Sequence, residues 1–234
     1  MKKYNILVVI PARKNSKRVP NKNMQLINNK PLVYYTISEA LKSKKITDVI
    51  LTTDSKKIFN YGKKFKNLNV PFLRPARLAK DQTESFPVVK HAMLCMEKIK
   101  SIKYDLIILL QPTCPMRTSF DIDNAINLII LKKADTVISV SEVGPHHPFR
   151  MKKILKNGRL SNIFNNLKNE NMKPIQKLKK FYIRNGAIYI SKRNVITKKK
   201  SLVGKKVYPY FMPLEKSVNI DNFDDLLIAR SKMQ

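Results

Sequence analysis

Tryptophan is absent from this 234-residue chain, glycine occurs five times and cysteine twice. Two cysteines, Cys95 and Cys114, cannot form a disulfide framework, and neither sits in a metal-binding spacing. Both suit a reducing compartment, so a cytoplasmic location is expected. There is no Gly-x-Gly-x-x-Gly and no loop ending in Gly-Lys-Ser/Thr, which excludes a dinucleotide fingerprint and a P-loop. No apolar run approaches the roughly 20 residues needed to cross a bilayer, so no membrane span is expected. The run Ile6 to Ile10 behind Lys2-Lys3 is too short for a signal peptide, and Pro11-Ala12-Arg13-Lys14 follows at once. Acids are scarce too, with 16 Asp and Glu against 47 Lys and Arg, a formal net charge of +31. Such an excess attracts polyanions in general. The lysines are spread along the chain, and no basic motif interleaved with aromatics occurs, so no specific nucleic-acid partner is expected.

What is present is an alternation of apolar β-branched runs and helical patterns. Ile6–Ile10 reads as a buried parallel strand because it is continuous. A helix follows over Pro31–Leu41, with Leu32, Val33, Ile37, Ala40 and Leu41 on one face. The same reasoning gives strands at Asp48–Thr53 and Asp105–Leu110, a short edge-type strand at Val70–Leu73, and helices at Ile58–Phe65, Pro87–Ile99 and Phe120–Leu131. Cys95 falls in the third of these helices and reads as a buried position. Thr136–Val140 and Ala187–Ile190 are further strands, and a last helix starts near Asn222. Residues 150–180 are basic and weakly periodic, and 194–210 read as an irregular basic arm. The expected fold is one α/β domain over 1–234, Rossmann-like, with a doubly wound, mostly parallel sheet and an inserted arm at about 145–212.

In such sheets ligands sit beyond the carboxyl ends of the strands. After the first strand comes Arg13-Lys14-Asn15-Ser16-Lys17-Arg18-Val19-Pro20-Asn21-Lys22-Asn23, a basic loop able to offer charged donors and amides to a triphosphate. Composition alone also allows a solvated surface loop here. Pro11-Ala12-Arg13-x-x-Ser16-Lys17 with Lys22-Asn23 resembles the signature of the acylneuraminate cytidylyltransferases, the CMP-sialic acid synthetase family. Four further segments match that family in order: Leu73-Arg74-Pro75-Ala76-x-Leu78-Ala79-x-Asp81-x-Thr83; Leu109-Leu110-Gln111-Pro112-Thr113-Cys114-Pro115-Met116-Arg117; His147-Pro148 with Asn185-Gly186-Ala187-Ile188-Tyr189; and Ile220-Asp221. The resemblance covers about residues 6–230.

The resemblance implies a fold of the nucleotide-diphospho-sugar transferase type and a homodimer assembled through the arm. It also implies transfer of CMP from CTP to an acidic nine-carbon sugar with Mg²⁺ as cofactor. Arg13, Ser16, Lys17, Lys22 and Asn23 would hold the phosphates, with Arg13, Lys17 and Lys22 catalytic. Arg74, Thr83 and Ser85 would surround the cytosine and ribose. Gln111, Tyr189 and Arg150 would face the sugar. Asp221 would bind the metal and belong to the catalytic set, with Asn219 as second ligand where the family has aspartate. Asp224 and Asp225 are alternative acids, or else residues of a helix first turn. His146 and His147 read as loop-shaping. The family usually has glycine where Lys14 and Asn15 stand, serine at Cys114, and arginine at Ile175. A cytidylyltransferase for the shorter acid sugar Kdo is the neighbouring reading, and an inactive or nucleic-acid-binding relative is the reading from another class.

Overall fold

The computed structural model describes residues 3–163 and 173–233. Its strands are β1 (Ile6–Pro11), β2 (Leu26–Ile27), β3 (Lys30–Pro31), β4 (Asp48–Thr52), β5 (Leu68–Asn69), β6 (Leu106–Leu109), β7 (Thr136–Glu142), β8 (Lys152–Ile154), β9 (Leu160–Asn162), β10 (Tyr182–Lys192) and β11 (Val207–Phe211). The helices are α1 (Leu32–Lys42), α2 (Lys56–Gly62), α3 (Ser85–Lys100), α4 (Ser119–Leu131), α5 (Arg193–Thr197) and α6 (Phe223–Lys232). Seven strands form one sheet in the order β11-β7-β10-β6-β1-β4-β5. β10 runs antiparallel to both neighbours, while the other adjacent pairs are parallel. The doubly wound, mostly parallel sheet expected from the sequence is therefore present.

β1, an interior strand of the sheet, explains the two-sided core. Successive side chains of a strand point to opposite faces. Ile6, Val8 and Ile10 accordingly join Val33 and Ile37 of α1 and Ile122 and Ile126 of α4. Leu7 and Val9 face the other way, onto Val89, Met93 and Met96 of α3. All six residues of β1 are apolar because neither face meets water. A third, smaller cluster joins Val19, Ile27 and Leu32 to Ile220, Leu226 and Ala229. It fastens the loop after β1 to the segment before α6.

Three expectations change. The short strand is at Leu68–Asn69, with an isolated Thr53–Leu73 bridge beyond it. Pro71 has no N–H to donate, so a ladder cannot run through Val70–Leu73. Residues 145–212 are not one inserted arm, since β10 lies inside the sheet and Val207–Phe211 of β11 pair with β7 as its edge strand. The β8–β9 hairpin, by contrast, pairs with itself and stands outside the seven-stranded sheet. Cys95 is half-buried on α3 rather than fully enclosed, while Cys114 is buried. Part of the basic segment 150–180, namely residues 164–172, lies outside the described residues. Among the described residues no helix is long and apolar enough to cross a membrane.

Candidate active site

The strand order reverses between β1 and β6: from β1 the chain proceeds to β4 and β5, then returns to β1's other side. A ligand crevice is expected at that switch point, beyond the carboxyl ends. An open cleft of about 370 Å³ lies there, within the range of small-molecule sites. Pro11, Arg13, Ser16, Lys22 and Asn23 line it from the loop after β1, and Gln111, Pro112 and Thr113 from the loop after β6. Arg74, Thr83, Ser85 and Val88 close one side, and Asn219 and Asp221 another. Residues separated by some 200 positions in sequence thus meet around one space.

The loop after β1 is held by its own backbone and by neighbours. The Ala12 amide donates to the Thr52 carbonyl at 3.0 Å, and the Lys14 amide to Asp54 at 2.7 Å. The Asn23 carboxamide donates back to the Arg13 carbonyl at 2.9 Å. The left-handed residue in the loop is Asn21, at φ 52°, and neither Lys14 nor Asn15 has positive φ. The turn therefore does not need the family's two glycines, since asparagine tolerates the left-handed region.

Charge is balanced in two groups. Arg13 and Lys17 both contact Asp81, the latter at 3.0 Å. Hydrogen bonds from Lys17 and then Arg13 hold the Asp81 carboxyl below its ordinary range. On the opposite side the Lys22 ammonium donates to the Ile220 carbonyl at 2.6 Å and lies 3.4 Å from Asp221. Arg74 is buried and bound to Thr52 through its hydroxyl and carbonyl. Burial brings its guanidinium down to about 10, so it is still charged at neutral pH.

Three expected site residues do not line the cleft. Lys17 is 81% exposed and points to Asp81 from outside. Tyr189 is half-buried in β10, packed on the α3 side of the sheet, and burial raises its phenol. Arg150 is exposed and its guanidinium reaches the Lys173 carbonyl. Asn219 lines the cleft; its Nδ2 donates to Asp221 at 3.1 Å and its Oδ1 lies 3.5 Å from the Cys114 sulfur. Through the Nδ2 contact Asn219 steadies the Asp221 carboxylate at the edge of the cleft. Asp225 is occupied too, accepting the Asp221 and Asn222 amides in a capping box at the start of α6. His147 shapes its loop as expected, accepting the Phe149 amide and facing the Lys179 carbonyl at 2.9 Å. Ile175 and Gln176 belong to a separate, mostly apolar cavity that includes His147 and Phe181.

Sequence reasoning gave no role to Asp54, Asp81 or Arg117. For Asp81 a signal existed, because two cations in a loop need a nearby counter-charge before substrate arrives. For Arg117 the signal was its place at the end of the segment Leu109 to Arg117 that matches the family, which marks the position but not its role.

A basic crevice at the switch point of a doubly wound sheet defines a nucleotide-handling α/β protein. The comparisons narrow that class. Residues 7–221 match the Cytidylyltransferase family, and the chain belongs to it. It is 34% identical over 96% of its length to N-acylneuraminate cytidylyltransferase of Escherichia coli O18:K1:H7, but covers only 51% of that protein. The chain therefore spans about half the length of this relative. It is 32% identical to CMP-N,N'-diacetyllegionaminic acid synthase of Legionella pneumophila, over 98% of this chain and 96% of the other. Among solved structures it resembles a CMP:2-keto-3-deoxy-manno-octonic acid synthetase complexed with CTP, at TM-score 0.69 and 16% identity over 98% of each chain. At that identity the likeness speaks for the fold.

Proposed function

We propose that the chain transfers CMP from CTP to the anomeric hydroxyl of a nonulosonic acid, an acidic nine-carbon sugar of the sialic, legionaminic or pseudaminic type. The observation that carries this reading is the convergence of Arg13, Ser16, Lys22, Asn23, Arg74, Thr83, Ser85, Gln111 and Asp221 on one cleft. In the reaction the sugar oxygen forms a bond to the α-phosphorus, the bond from that phosphorus to the bridging oxygen breaks, and pyrophosphate leaves. The hydroxyl proton is released as the new bond forms.

Arg13, Lys22 and the amides of the loop after β1 hold the triphosphate in line for this displacement, meeting negative charge with fixed donors. Lys17 contributes at the mouth, sharing Asp81 with Arg13. Arg74, Thr83 and Ser85 orient the nucleoside, and Gln111 the sugar. The donor set fits Mg²⁺, which is commonly held by one or two carboxylates together with substrate phosphates. Asp221 supplies one such carboxylate, 52% exposed. When bound, the ion neutralises charge on the transferring phosphoryl group. A homodimer in the cytoplasm completes the reading; two cysteines that form no disulfide framework suit a reducing compartment.

The test is pyrophosphate release from CTP and Mg²⁺ with sialic, legionaminic, pseudaminic and Kdo acceptors. Release with a nine-carbon acid supports the proposal. Release with Kdo alone moves the acceptor assignment, and no release with any acid sugar overturns the enzyme reading.

A further inference from the structure

The β7–β10 ladder slips between Arg184 and Tyr189, leaving the backbone of residues 185–188 without regular strand partners. Side chains take up the freed groups. The Cys114 thiol donates to the Asn185 carbonyl at 3.1 Å, and Ser139 Oγ accepts the Ile188 amide at 2.7 Å. The Ala187 carbonyl is taken by Arg117 Nη1 at 2.7 Å. Nη1 also lies 3.4 Å from the Gln111 carbonyl, and Nη2 donates to Thr36 Oγ1 on α1 at 2.7 Å.

Arg117 differs from the other donors. It is 1% exposed and its Nε has no partner; among the described residues no carboxylate pairs with it directly, although Asp121 and Glu39 lie near enough to favour its charge. A buried cation without a direct ion-pair partner is costly, and a neutral donor would satisfy one carbonyl equally well. What a neutral side chain lacks is the fork, which here spans the end of β6, the slip in β10 and α1. Between the two carbonyls that Nη1 reaches lies a close contact. A Cβ on Gly186 would sit 3.0 Å from Gln111 Oε1.

We propose that Arg117 is a positioning residue for the sugar half of the site, holding Gln111 against Gly186 from behind and placing a fixed positive charge beneath an anion-binding cleft. This rests on the assignment of Gln111 to the sugar. It predicts a split in kinetics: loss of the fork weakens acceptor use and leaves CTP binding alone, because Arg13, Lys22 and Arg74 are held by other contacts.

The test compares Arg117→Lys, which keeps charge without the fork, and Thr36→Val, which removes one anchor and keeps the arginine. Acceptor and CTP constants are measured by pyrophosphate release, CTP affinity by calorimetry and folding by thermal unfolding. For R117K a rise in acceptor KM of about tenfold or more is expected, with CTP affinity within twofold of the parent. T36V should shift the same constant in the same direction by a smaller factor, and it carries the test if R117K does not fold. Unchanged acceptor constants in the folded variants, or equal losses for CTP and acceptor, overturn the assignment. If the parent protein forms no product with any acceptor, the proposed function falls first and this inference with it.

Discussion

Replacing Lys22 by methionine removes a cation that touches both parts of the site at once. Its ammonium donates to the Ile220 carbonyl at 2.6 Å and lies 3.4 Å from Asp221, and the side chain is 12% exposed. Methionine keeps most of the apolar stem, so the cluster of Val19, Ile27 and Ile220 beneath the loop retains its packing. Losing a charged donor to a carbonyl amounts to about 1–2 kcal/mol of stability. In a chain of this size that lowers Tm by roughly 2–8 °C. The functional loss is larger. One charge-assisted contact to a phosphate is worth about 1.5–3 kcal/mol, or roughly ten- to 150-fold in CTP affinity. Calorimetric titration of CTP into K22M, beside a thermal melt, reads both quantities. A folded K22M that binds CTP within twofold of the parent would refute the assignment of Lys22 to the phosphates.

Three further outcomes follow from the geometry. Asp221→Asn should fold normally, because the carboxylate is half-exposed, while steady-state kinetics show kcat/KM lower by about 100-fold or more and a higher Mg²⁺ requirement. Gly186→Ala should lower Tm and raise the acceptor KM, since Gly186 has φ +81° and an added Cβ would press on Gln111 and Cys114; unchanged values would contradict the close contact. Burial works against ionised Glu97, but the hydrogen bonds from Arg193 and from the Tyr104 amide, with the charges of Arg193 and Lys103, together outweigh it and hold the carboxyl below its ordinary value. Its stabilisation is therefore present above the unfolded carboxylate range and lost as pH falls through the folded value, so Glu97→Gln should be less stable than the parent at pH 7, with the difference shrinking as pH falls below the ordinary carboxylate range in urea titrations.

The parts of the fold that could be read from sequence are those with one dominant signal. β1 has six consecutive apolar residues, and α1 and α4 carry period-3.6 stripes, so each was placed within a residue or two. The last helix begins where expected, near Asn222, and the structure adds a capping box there between Asn222 and Asp225. β11 was hidden because Lys198–Lys200 and Lys205-Lys206 run up to Val207–Phe211, and its edge position tolerates Pro209. The slip in β10 depends on tertiary partners that no local pattern encodes. Of the site, the elements beyond β1 and β6 were legible because the switch point fixes where function must lie. Arg150 and Tyr189 had no comparable anchor. Whether a strand residue turns toward the cleft or toward α3 is settled by register, and Tyr189 faces α3. Asn219 fits the same pattern, since its amide meets Cys114 and Asp221, 105 and two positions away.

The most direct measurement follows the oxygen atom. A nonulosonic acid labelled with ¹⁸O at its anomeric hydroxyl is incubated with CTP and Mg²⁺, and the product is weighed by mass spectrometry. If the sugar hydroxyl attacks the α-phosphorus in this cleft, the label is retained in a CMP-sugar and the pyrophosphate is unlabelled. Loss of the label, its appearance in pyrophosphate, or formation of free CMP alone would contradict that account.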